Sequence, residues 1–379
     1  MTPLSTSPKS IAVIVGTRPE IIKLAPVIRN LKDITTSNVR VYSTGQHREL
    51  LEQTLGSLNI KIDVNFDLMM DGQSPSEIHG KVIACLETAF KANRPDMVVV
   101  QGDTVSAFAG AVAGYLSNIP VAHVEAGLRS HNLFNPWPEE GLRQMIARVT
   151  NLHLAPTEQA RANLVAEGID QQQIHVVGNP GIDSLELVRK NNKPKSVIQG
   201  LDKLDSRTLV IITMHRREAF SGGLDKFCEE LLRAVSRRPD VLFVWPIHPN
   251  PRVREILSRH FSDGANENLE FISPLAYDQM ILLLSNADLV ISDSGGMQEE
   301  SPYCGVPILV IRDETERPEI IDLGLGQLIG TSAEGLADKI EVSLAYSPAP
   351  SAVAKWKEIQ GNGQAAKKIA TLIARFVAD

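Results

Sequence analysis

Three carboxylates and one histidine stand where side chains commonly carry out acid–base chemistry. Asp103 and Glu125 each follow a short apolar run, as does His215, whereas Glu139 comes directly after a Pro-Trp-Pro motif. A carboxylate at the end of a buried strand needs a partner or a task, because an unpaired buried charge is costly. Structural interpretations stay open beside this one: Asp103 is placed to cap the helix that follows, and Glu139 and Arg143 have the spacing of a helical ion pair.

A candidate anion site lies at residues 293–300, Asp-Ser-Gly-Gly-Met-Gln-Glu-Glu, which follow an apolar run and open a helical pattern. The first turn of a helix has backbone N–H groups without intrahelical partners, and it carries a partial positive charge. Gly295 and Gly296 would let a phosphate approach these groups closely, and Glu300 could accept hydrogen bonds from a ribose. An ordinary strand-to-helix turn with an acidic face is the alternative interpretation.

Basic side chains follow other apolar runs. Arg18 comes just before Pro19, which suits the first helical position, and Lys23 lies one turn further along. His215 is followed by two arginines and a glutamate, and His248 lies between prolines. Both histidines are candidates for contact with a substrate. The alternative for His215 is a surface loop held by ion pairs, and the alternative for His248 is a rigid proline loop.

Short β-branched runs alternate with helical patterns along most of the sequence. These runs are Ile11–Val15, Val39–Ser43, Met97–Val100, Val121–Val124, Ile174–Val177, Leu209–Thr213, Val241–Trp245, Leu289–Ser292 and Ile308–Ile311. Such alternation is typical of parallel sheets with crossover helices. It predicts an α/β fold of two Rossmann-like doubly wound domains that face a cleft. Ligands of such sheets bind beyond the carboxyl ends of the strands, so the candidate residues are expected at one edge of each sheet.

A polar stretch near Gly178 to Asn192 is the predicted linker between the domains. We predict an N-terminal Rossmann-like domain at residues 1–180, which carries the acid–base residues, and a C-terminal one at residues 181–363, which carries the anion site. Residues 364–379 have an amphipathic pattern and are expected to form a terminal helix that packs back on the N-terminal domain.

Composition limits the functions that the chain can have. Of its 379 residues, 43% are hydrophobic and 22% are charged, which is typical of globular domains. No apolar run reaches the roughly 18 residues of a membrane span, and residues 1–10 lack a signal-peptide core, so we expect a cytoplasmic protein without a membrane partner. The net charge of −7 argues against binding to nucleic acid.

Several motifs of cofactor enzymes are absent from the sequence. No Gly-x-Gly-x-x-Gly follows a strand, and there is no Walker-type Gly-Lys-Ser/Thr. The three cysteines, Cys85, Cys228 and Cys304, are widely spaced and fit neither a disulfide framework nor a zinc site. We therefore expect no cofactor and no metal, and chemistry that uses side chains and the substrate's own leaving group.

Taken together, the motifs resemble those of the non-hydrolysing UDP-N-acetylglucosamine 2-epimerases. They run in order over nearly the whole chain: Gly16-Thr17-Arg18-Pro19-Glu20 with Lys23, Gly45-Gln46-His47-Arg48, Gly102-Asp103-Thr104, His123-Val124-Glu125-Ala126-Gly127-Leu128-Arg129, Pro136-Trp137-Pro138-Glu139-Glu140, His215-Arg216-Arg217-Glu218, Asp293-Ser294-Gly295-Gly296 with Gln298-Glu299-Glu300, and Arg312-Asp313 with Thr315-Glu316-Arg317-Pro318-Glu319. The resemblance implies a glycosyltransferase-B-like fold, commonly as a homodimer, and interconversion of UDP-GlcNAc and UDP-ManNAc without metal or nicotinamide.

The resemblance also implies roles for individual residues. The catalytic candidates are Asp103, Glu125, Glu139 and His215, with the carboxylates around the sugar and the histidine near the departing phosphate. The candidates for binding the UDP-sugar are Arg18, Lys23, Arg143, His248, Ser294, Gly295, Gly296, Glu300 and Arg317. The C2 hydrogen of the sugar has no adjacent carbonyl and is not acidic, so we expect elimination of UDP to a glycal and its re-addition. Because the proton leaves one face and returns to the other, more than one acid–base group is needed.

Three positions depart from the pattern of this family. Gln101, Met214 and Leu142 stand where the family commonly has histidine, a small residue and asparagine. Gln101 and Leu142 lie close to the carboxylate candidates Asp103 and Glu139, so a UDP-hexose with another substituent at C2 is an alternative substrate. Three further functions stay open: a UDP-sugar glycosyltransferase of the same architecture, a hydrolysing epimerase, and a nucleotide-sugar sensor without turnover.

Overall fold

The structure, a computed structural model, describes residues 8–34, 37–45, 54–68, 72–191, 207–214, 223–247, 251–261 and 267–378. The chain forms two compact units. The first unit comprises Met1–Glu186 and Ile359–Asp379, and the second comprises Leu187–Glu358. We predicted domain boundaries after residues 180 and 363. The chain passes from one unit to the other after residues 186 and 358.

The first unit is built on a seven-stranded sheet. Its strands are β1 (Ser10–Val15), β2 (Asn38–Ser43), β3 (Val64–Asn65), β4 (Met97–Gln101), β5 (Val121–Val124), β6 (Leu152–Ala155) and β7 (Ile174–Val176). All neighbours are parallel, in the order β3-β2-β1-β4-β5-β6-β7. The strand order reverses between β1 and β4, which is where doubly wound sheets bind their ligands.

Helices connect these strands. They are α1 (Arg18–Ile34), α2 (Pro75–Ala92), α3 (Val105–Leu116), α4 (Glu139–Val149), α5 (Glu158–Ala166) and α6 (Pro180–Asn191), with a short 3-10 turn at Gln171–Gln173. The sequence specifies some of their starts directly: Ser74 and Glu77 form a capping box at α2, with Pro75 as its first residue.

The second unit repeats this plan with six parallel strands. These are β8 (Thr208–Thr213), β9 (Val241–Pro246), β10 (Leu269–Ile272), β11 (Leu289–Ser292), β12 (Ile308–Val310) and β13 (Gly326–Leu328), in the order β10-β9-β8-β11-β12-β13. The helices are α7 (Gly223–Arg237), α8 (Pro251–His260), α9 (Tyr277–Leu284), α10 (Gly295–Tyr303), α11 (Glu319–Asp322), α12 (Leu336–Ala345) and α13 (Pro350–Ile359). The order reverses between β8 and β11, so the predicted pair of doubly wound α/β sheets is confirmed.

The terminal helix α14 (Ala365–Ala378) belongs to the first unit and packs on α1. Ala366, Ile369, Ala370 and Ile373 are completely buried on this helix. Asp183 accepts hydrogen bonds from the backbone N–H groups of Ala365 and Ala366, at 3.2 and 3.0 Å. A side chain of α6 thereby satisfies the first turn of α14.

The strands are apolar because both faces of each sheet are covered. Residues 11–15 of β1 are at most 1% exposed, as are residues 289–291 of β11. A parallel sheet covered by helices on both faces requires continuous apolar strands rather than alternating ones. Within the described residues, no helix is long and apolar enough to cross a membrane.

Candidate active site

The loop between β1 and α1 is fixed by the buried Glu20. One oxygen of this carboxylate accepts the N–H of Gly16 at 2.9 Å, and the N–H and hydroxyl of Thr17 at 2.6 and 2.8 Å. The other accepts the hydroxyl of Thr104 at 2.8 Å, so Glu20 joins the loops that follow β1 and β4. Burial raises the pKa of Glu20 to about 7. The hydrogen bonds favour the charged carboxylate and therefore make this rise smaller than burial alone would. The sequence places Thr17 and Glu20 three residues apart, as in a capping box, but we did not predict a site role for Glu20.

Gly16 is required by close packing at the end of β1. A Cβ atom at this position would lie 2.6 Å from the hydroxyl of Thr44 and would also meet Ser106. The two hydroxyls are themselves hydrogen-bonded at 2.8 Å. Arg18 begins α1 and is half-buried, and Pro19 is the second residue of this helix rather than the first.

Glu125 lies at the end of β5 between two donors. The ammonium of Lys23 donates to one carboxylate oxygen and the side-chain amide of Gln101 donates to the other. The side chains of Lys23 and Glu125 are only 11% and 9% exposed. Glu125 has a φ of +66°, a left-handed conformation that costs a non-glycine residue energy and is often found at functional sites. Lys23, predicted to bind a phosphate, therefore lies beside a catalytic candidate.

Asp103 lies at the end of β4 and pairs with Arg143. A guanidinium nitrogen of Arg143 lies 2.5 Å from an Asp103 carboxylate oxygen. The alternative that Asp103 caps α3 is wrong, because the hydroxyl of Thr104 accepts the N–H of Ala107 at 3.0 Å and thus caps this helix. The carboxylate of Asp103 is thereby left at the surface of the site, with 29% of its side chain exposed.

Two adjacent glutamates begin α4. Glu139 is its half-buried first residue, and Glu140 is completely buried. Glu140 accepts the N–H of Ser130 at 3.0 Å and lies 3.4 Å from a guanidinium nitrogen of Arg143. Adjacent residues of a helix point about 100° apart, so the two glutamates face different surroundings. The prediction from spacing named Glu139 as the functional residue and did not include Glu140.

His123 supports the backbone beside Asp103. Its Nε2 donates to the carbonyl oxygen of Gly102 at 2.7 Å, and the side chain is buried. Burial lowers the pKa of His123 to about 3, so the imidazole is neutral at physiological pH. Gly102 has a φ of +71°, a left-handed conformation that glycine adopts readily. Asp103 follows it, just beyond the end of β4. We did not predict a site role for His123, because it lies inside β5.

In the second unit, the candidate anion site has the predicted strand-to-helix geometry. Ser294 precedes α10, and its side chain makes no capping hydrogen bond. The backbone N–H of Ser294 donates to the hydroxyl of Ser292 at 2.9 Å, and that hydroxyl is 2.6 Å from the hydroxyl of Thr213. The loop that starts the helix is therefore tied to both strands of the reversal, β8 and β11. Gly295 and Gly296 form the first turn of α10, where the helix offers its amides to an anion.

Arg317 packs directly against the start of this helix. A Cβ atom on Gly295 would lie 3.1 Å from its guanidinium nitrogens, so a larger residue would press on this side chain. The Nε of Arg317 donates to Glu299 at 2.7 Å, and Glu316 lies 3.5 Å from another guanidinium nitrogen. These acids fix the orientation of a side chain that is only 11% exposed.

Two further side-chain contacts involve residues of α10 and of the loop that carries Arg317. Glu300 accepts the hydroxyl of Tyr277 at 3.0 Å. Glu316 also pairs with Arg312 at 2.8 Å, within the loop that carries Arg317. We did not predict roles for these two partners: Tyr277 lies 23 positions from Glu300, whereas Arg312 lies only four positions from Glu316.

Not every candidate can be placed. His215 and His248 lie outside the described residues, so their roles stay predictions. The first unit brings together Lys23, Asp103, Glu125 and Arg143 at the ends of β4 and β5, and the second unit brings together Ser294, Gly295, Gly296 and Arg317. Among the residues that the structure describes, no group of three or more His, Cys, Asp or Glu could hold a metal ion.

Comparison with known proteins gives one consistent family. The sequence model of the UDP-N-acetylglucosamine 2-epimerase family matches residues 29–374. A probable UDP-N-acetylglucosamine 2-epimerase of Ralstonia nicotianae is 37% identical over 98% of this chain and 100% of its own length.

Two solved structures are similar over the same extent. The S. aureus MnaA–UDP co-structure is 34% identical, with a TM-score of 0.89, and the match covers 98% of this chain and 97% of that one. The UDP-GlcNAc 2-epimerase of Neisseria meningitidis bound to UDP-GlcNAc is 35% identical, with a TM-score of 0.88 and coverage of 97% and 100%.

Proposed function

The chain belongs to the UDP-N-acetylglucosamine 2-epimerase family, and we propose that it interconverts UDP-GlcNAc and UDP-ManNAc without net hydrolysis. The observation that carries the proposal is the full-length family match together with Asp103 and Glu125 at the ligand-binding end of the first sheet. The protein is thus an isomerase that acts on a nucleotide sugar.

The chemistry of the substrate requires an indirect route. The C2 hydrogen of UDP-GlcNAc is not acidic, because no carbonyl group is adjacent to C2. A base removes the C2 proton while the C1–O bond breaks and its electron pair leaves with UDP, which gives a 2-acetamidoglucal. In the return step, a proton is added to C2 on the opposite face and a UDP oxygen forms the C1–O bond again. Atoms and electrons balance without an oxidant.

Asp103, Glu125 and Glu139 serve the acid–base steps in this proposal. Arg143 holds the carboxylate of Asp103, and Lys23 holds that of Glu125. Both carboxylates therefore have a fixed direction before the substrate binds. Two carboxylates that end neighbouring strands, β4 and β5, suit a reaction that needs proton transfer on two faces of one carbon. The resemblance to the family implies that His215 lies near the departing phosphate.

The second unit holds UDP in this proposal. The amides at the start of α10 and the guanidinium of Arg317 stabilise the negative charge that grows on the diphosphate as the C1–O bond breaks. Glu300 accepts hydrogen bonds from the ribose. Such stabilisation of a leaving group is commonly the largest contribution to catalysis, and here it also retains UDP for the return step.

Proton NMR of UDP-GlcNAc incubated with the protein tests the proposed function. We expect the anomeric signal of UDP-ManNAc to appear and the two nucleotide sugars to reach equilibrium, with little free UDP. Stoichiometric release of UDP together with free ManNAc would instead identify a hydrolysing enzyme. An unchanged spectrum would remove UDP-GlcNAc as the substrate.

We also propose that the enzyme is a cytoplasmic homodimer. The dimer is implied by the resemblance of the motifs to the family, and the location by the sequence features described above. Sedimentation velocity at micromolar concentration tests the oligomeric state, since a monomer at all concentrations would contradict the proposal.

A further inference from the structure

A surface groove of the first unit is lined by none of the candidate site residues. It has a volume of about 780 Å³ and is bordered by α5, β7 and α14. Ile174, Val176, Val177 and Leu372 form an apolar part of its lining. The volume is within the range of pockets that bind ligands.

The strand in this groove has an open edge. β7 is the last strand of the sheet, and among the described strands it pairs with β6 alone. The N–H of Val177 donates to the carbonyl of Ala155 in β6 at 2.9 Å. Because successive residues of a strand point their backbone groups to opposite sides, the N–H and carbonyl of Val176 point away from β6. Among the described residues, these two groups make no hydrogen bond, so the edge can accept a further strand.

The rim of the groove is basic. Arg161 of α5 and Lys367, Lys368 and Arg375 of α14 line it, with Glu158 as its one acidic lining residue. Within the described part of the chain, none of the three basic residues of α14 forms an ion pair. Arg161 pairs with Glu158 at 3.5 Å, and the charge of Lys368 acts on the carboxylate of Asp183. The rim still carries four basic side chains and one acidic one, and this excess on a protein with a net charge of −7 favours a partner of opposite charge.

We propose that this groove binds an acidic segment of a partner protein, which adds to β7 as an extended strand. Backbone hydrogen bonds to Val176 would fix the strand, its apolar side chains would cover Leu372, and its acidic side chains would meet the basic rim. The helix rises roughly 12 Å from Lys367 to Arg375, which matches about four residues of extended chain. The open backbone edge favours a peptide over an anionic lipid surface, because lipid head groups cannot continue a strand ladder.

Fluorescence anisotropy with a labelled Glu-Val-Glu-Val-Glu-Val peptide tests the proposal on the full-length protein. We expect saturable binding that weakens at least tenfold in a Lys368→Glu, Arg375→Glu double variant. A matched double variant, Lys32→Glu and Lys226→Glu, makes the same change in net charge at exposed positions of α1 and α7 and should bind as the wild type does. Equal weakening in both variants would show a general effect of charge and would overturn the proposal.

Backbone methylation tests the strand pairing. We prepare two peptides with N-methyl groups on alternate amides, one in each register, and expect one of them to lose at least tenfold in affinity while the other binds normally. Equal affinity of both methylated peptides and the parent would overturn the added strand. Binding to phosphatidylserine vesicles without binding to any of the peptides would also overturn the proposal. Circular dichroism of each variant establishes that it is folded, and none of these results depends on the proposed epimerase activity.

Discussion

At the scale of the residue, the central feature is that Asp103 and Glu125 are each held by a cation. Arg143 orients the first carboxylate and Lys23 orients the second, and Gln101 adds a neutral donor to Glu125. Paired side chains keep their direction without a bound substrate, which is the preorganisation that acid–base catalysis needs. The left-handed backbone of Glu125 adds to this interpretation, since such a conformation is maintained only where the surroundings enforce it.

Asp103→Asn and Glu125→Gln should each abolish epimerisation while UDP still binds. Amides retain the size and most hydrogen bonds of the carboxylates but cannot transfer the proton, so we expect kcat to fall by at least about 100-fold. Calorimetry with UDP and NMR of turnover measure the two effects. Asp33→Asn is the matched control, because Asp33 is exposed on α1. Near-normal turnover of both site variants would show that these carboxylates are structural.

Glu20 should make stability depend on pH. Its folded pKa of about 7 lies above the usual value of 4.5, so the unfolded chain loses this proton first as the pH rises. The free energy of unfolding of the wild type, relative to Glu20→Gln, should therefore fall between about pH 4.5 and 7. The fall is about 3.5 kcal/mol at most, since the pKa differs by about 2.5 units and one unit corresponds to about 1.4 kcal/mol. Urea unfolding of both proteins across this range is the measurement, and parallel profiles would contradict the raised pKa.

Residue types and spacing identified the carboxylates that follow strands, because strand ends can be found from apolar runs. They did not identify the partners of those carboxylates. Arg143 meets Asp103, 40 positions away, and Lys23 meets Glu125, 102 positions away, and both pairs depend on the tertiary fold. The choice between Glu139 and Glu140 likewise depends on which way α4 is turned, which the sequence does not determine.

At the scale of the element, both sheets place their candidate residues beside a reversal of strand order. All nine predicted strands are found, because each is rich in apolar residues, many of them β-branched. The predictions did not include β3, β6, β10 and β13. Three of these lie at the edge of a sheet and are held by a single neighbour, so their short sequences carry little signal of their own. The fourth, β6, reads Leu-His-Leu-Ala and becomes a strand through pairing on both sides.

Gly295→Ala should weaken UDP binding in the proposed function. The added Cβ would press on the guanidinium of Arg317, which Glu299 holds in place, and would cover the first amides of α10. Losing one charge-assisted hydrogen bond corresponds to roughly tenfold weaker binding. Isothermal titration calorimetry measures the effect. Gly80→Ala is the matched control, since a Cβ there meets nothing within 4 Å in α2, and equal affinity of the two variants would contradict the phosphate site.

Ile373→Ala should destabilise the first unit although it lies near the end of the chain. Ile373 is completely buried on α14, and truncating such a side chain costs about 2–5 kcal/mol. Phe376→Ala on the same helix is the control, because Phe376 is 37% exposed and should cost about 1 kcal/mol or less. Denaturant unfolding compares them. Similar losses of unfolding free energy in the two variants would show that the packing of α14 does not depend on its buried apolar face.

At the scale of the whole molecule, the chain forms a doubly wound unit, then a second one, and returns to the first with α14. The chain length and the alternation of apolar runs with helical patterns predicted two such units, and the ordered motifs predicted the family. The candidate carboxylates Asp103, Glu125 and Glu139 belong to the first unit and the candidate anion site to the second, so the proposed reaction uses parts of the chain that fold around separate sheets. In the proposed reaction, UDP leaves carbon C1 and returns to it within one turnover.

The measurement that tests this account most directly is the reaction of UDP-GlcNAc in D2O, followed by mass spectrometry and proton NMR. Elimination and re-addition predict that recovered UDP-GlcNAc and UDP-ManNAc carry deuterium at C2 at equilibrium, with UDP still attached. UDP-ManNAc that forms with its original hydrogen at C2 would contradict the proposed proton transfers, and with them the roles of Asp103 and Glu125.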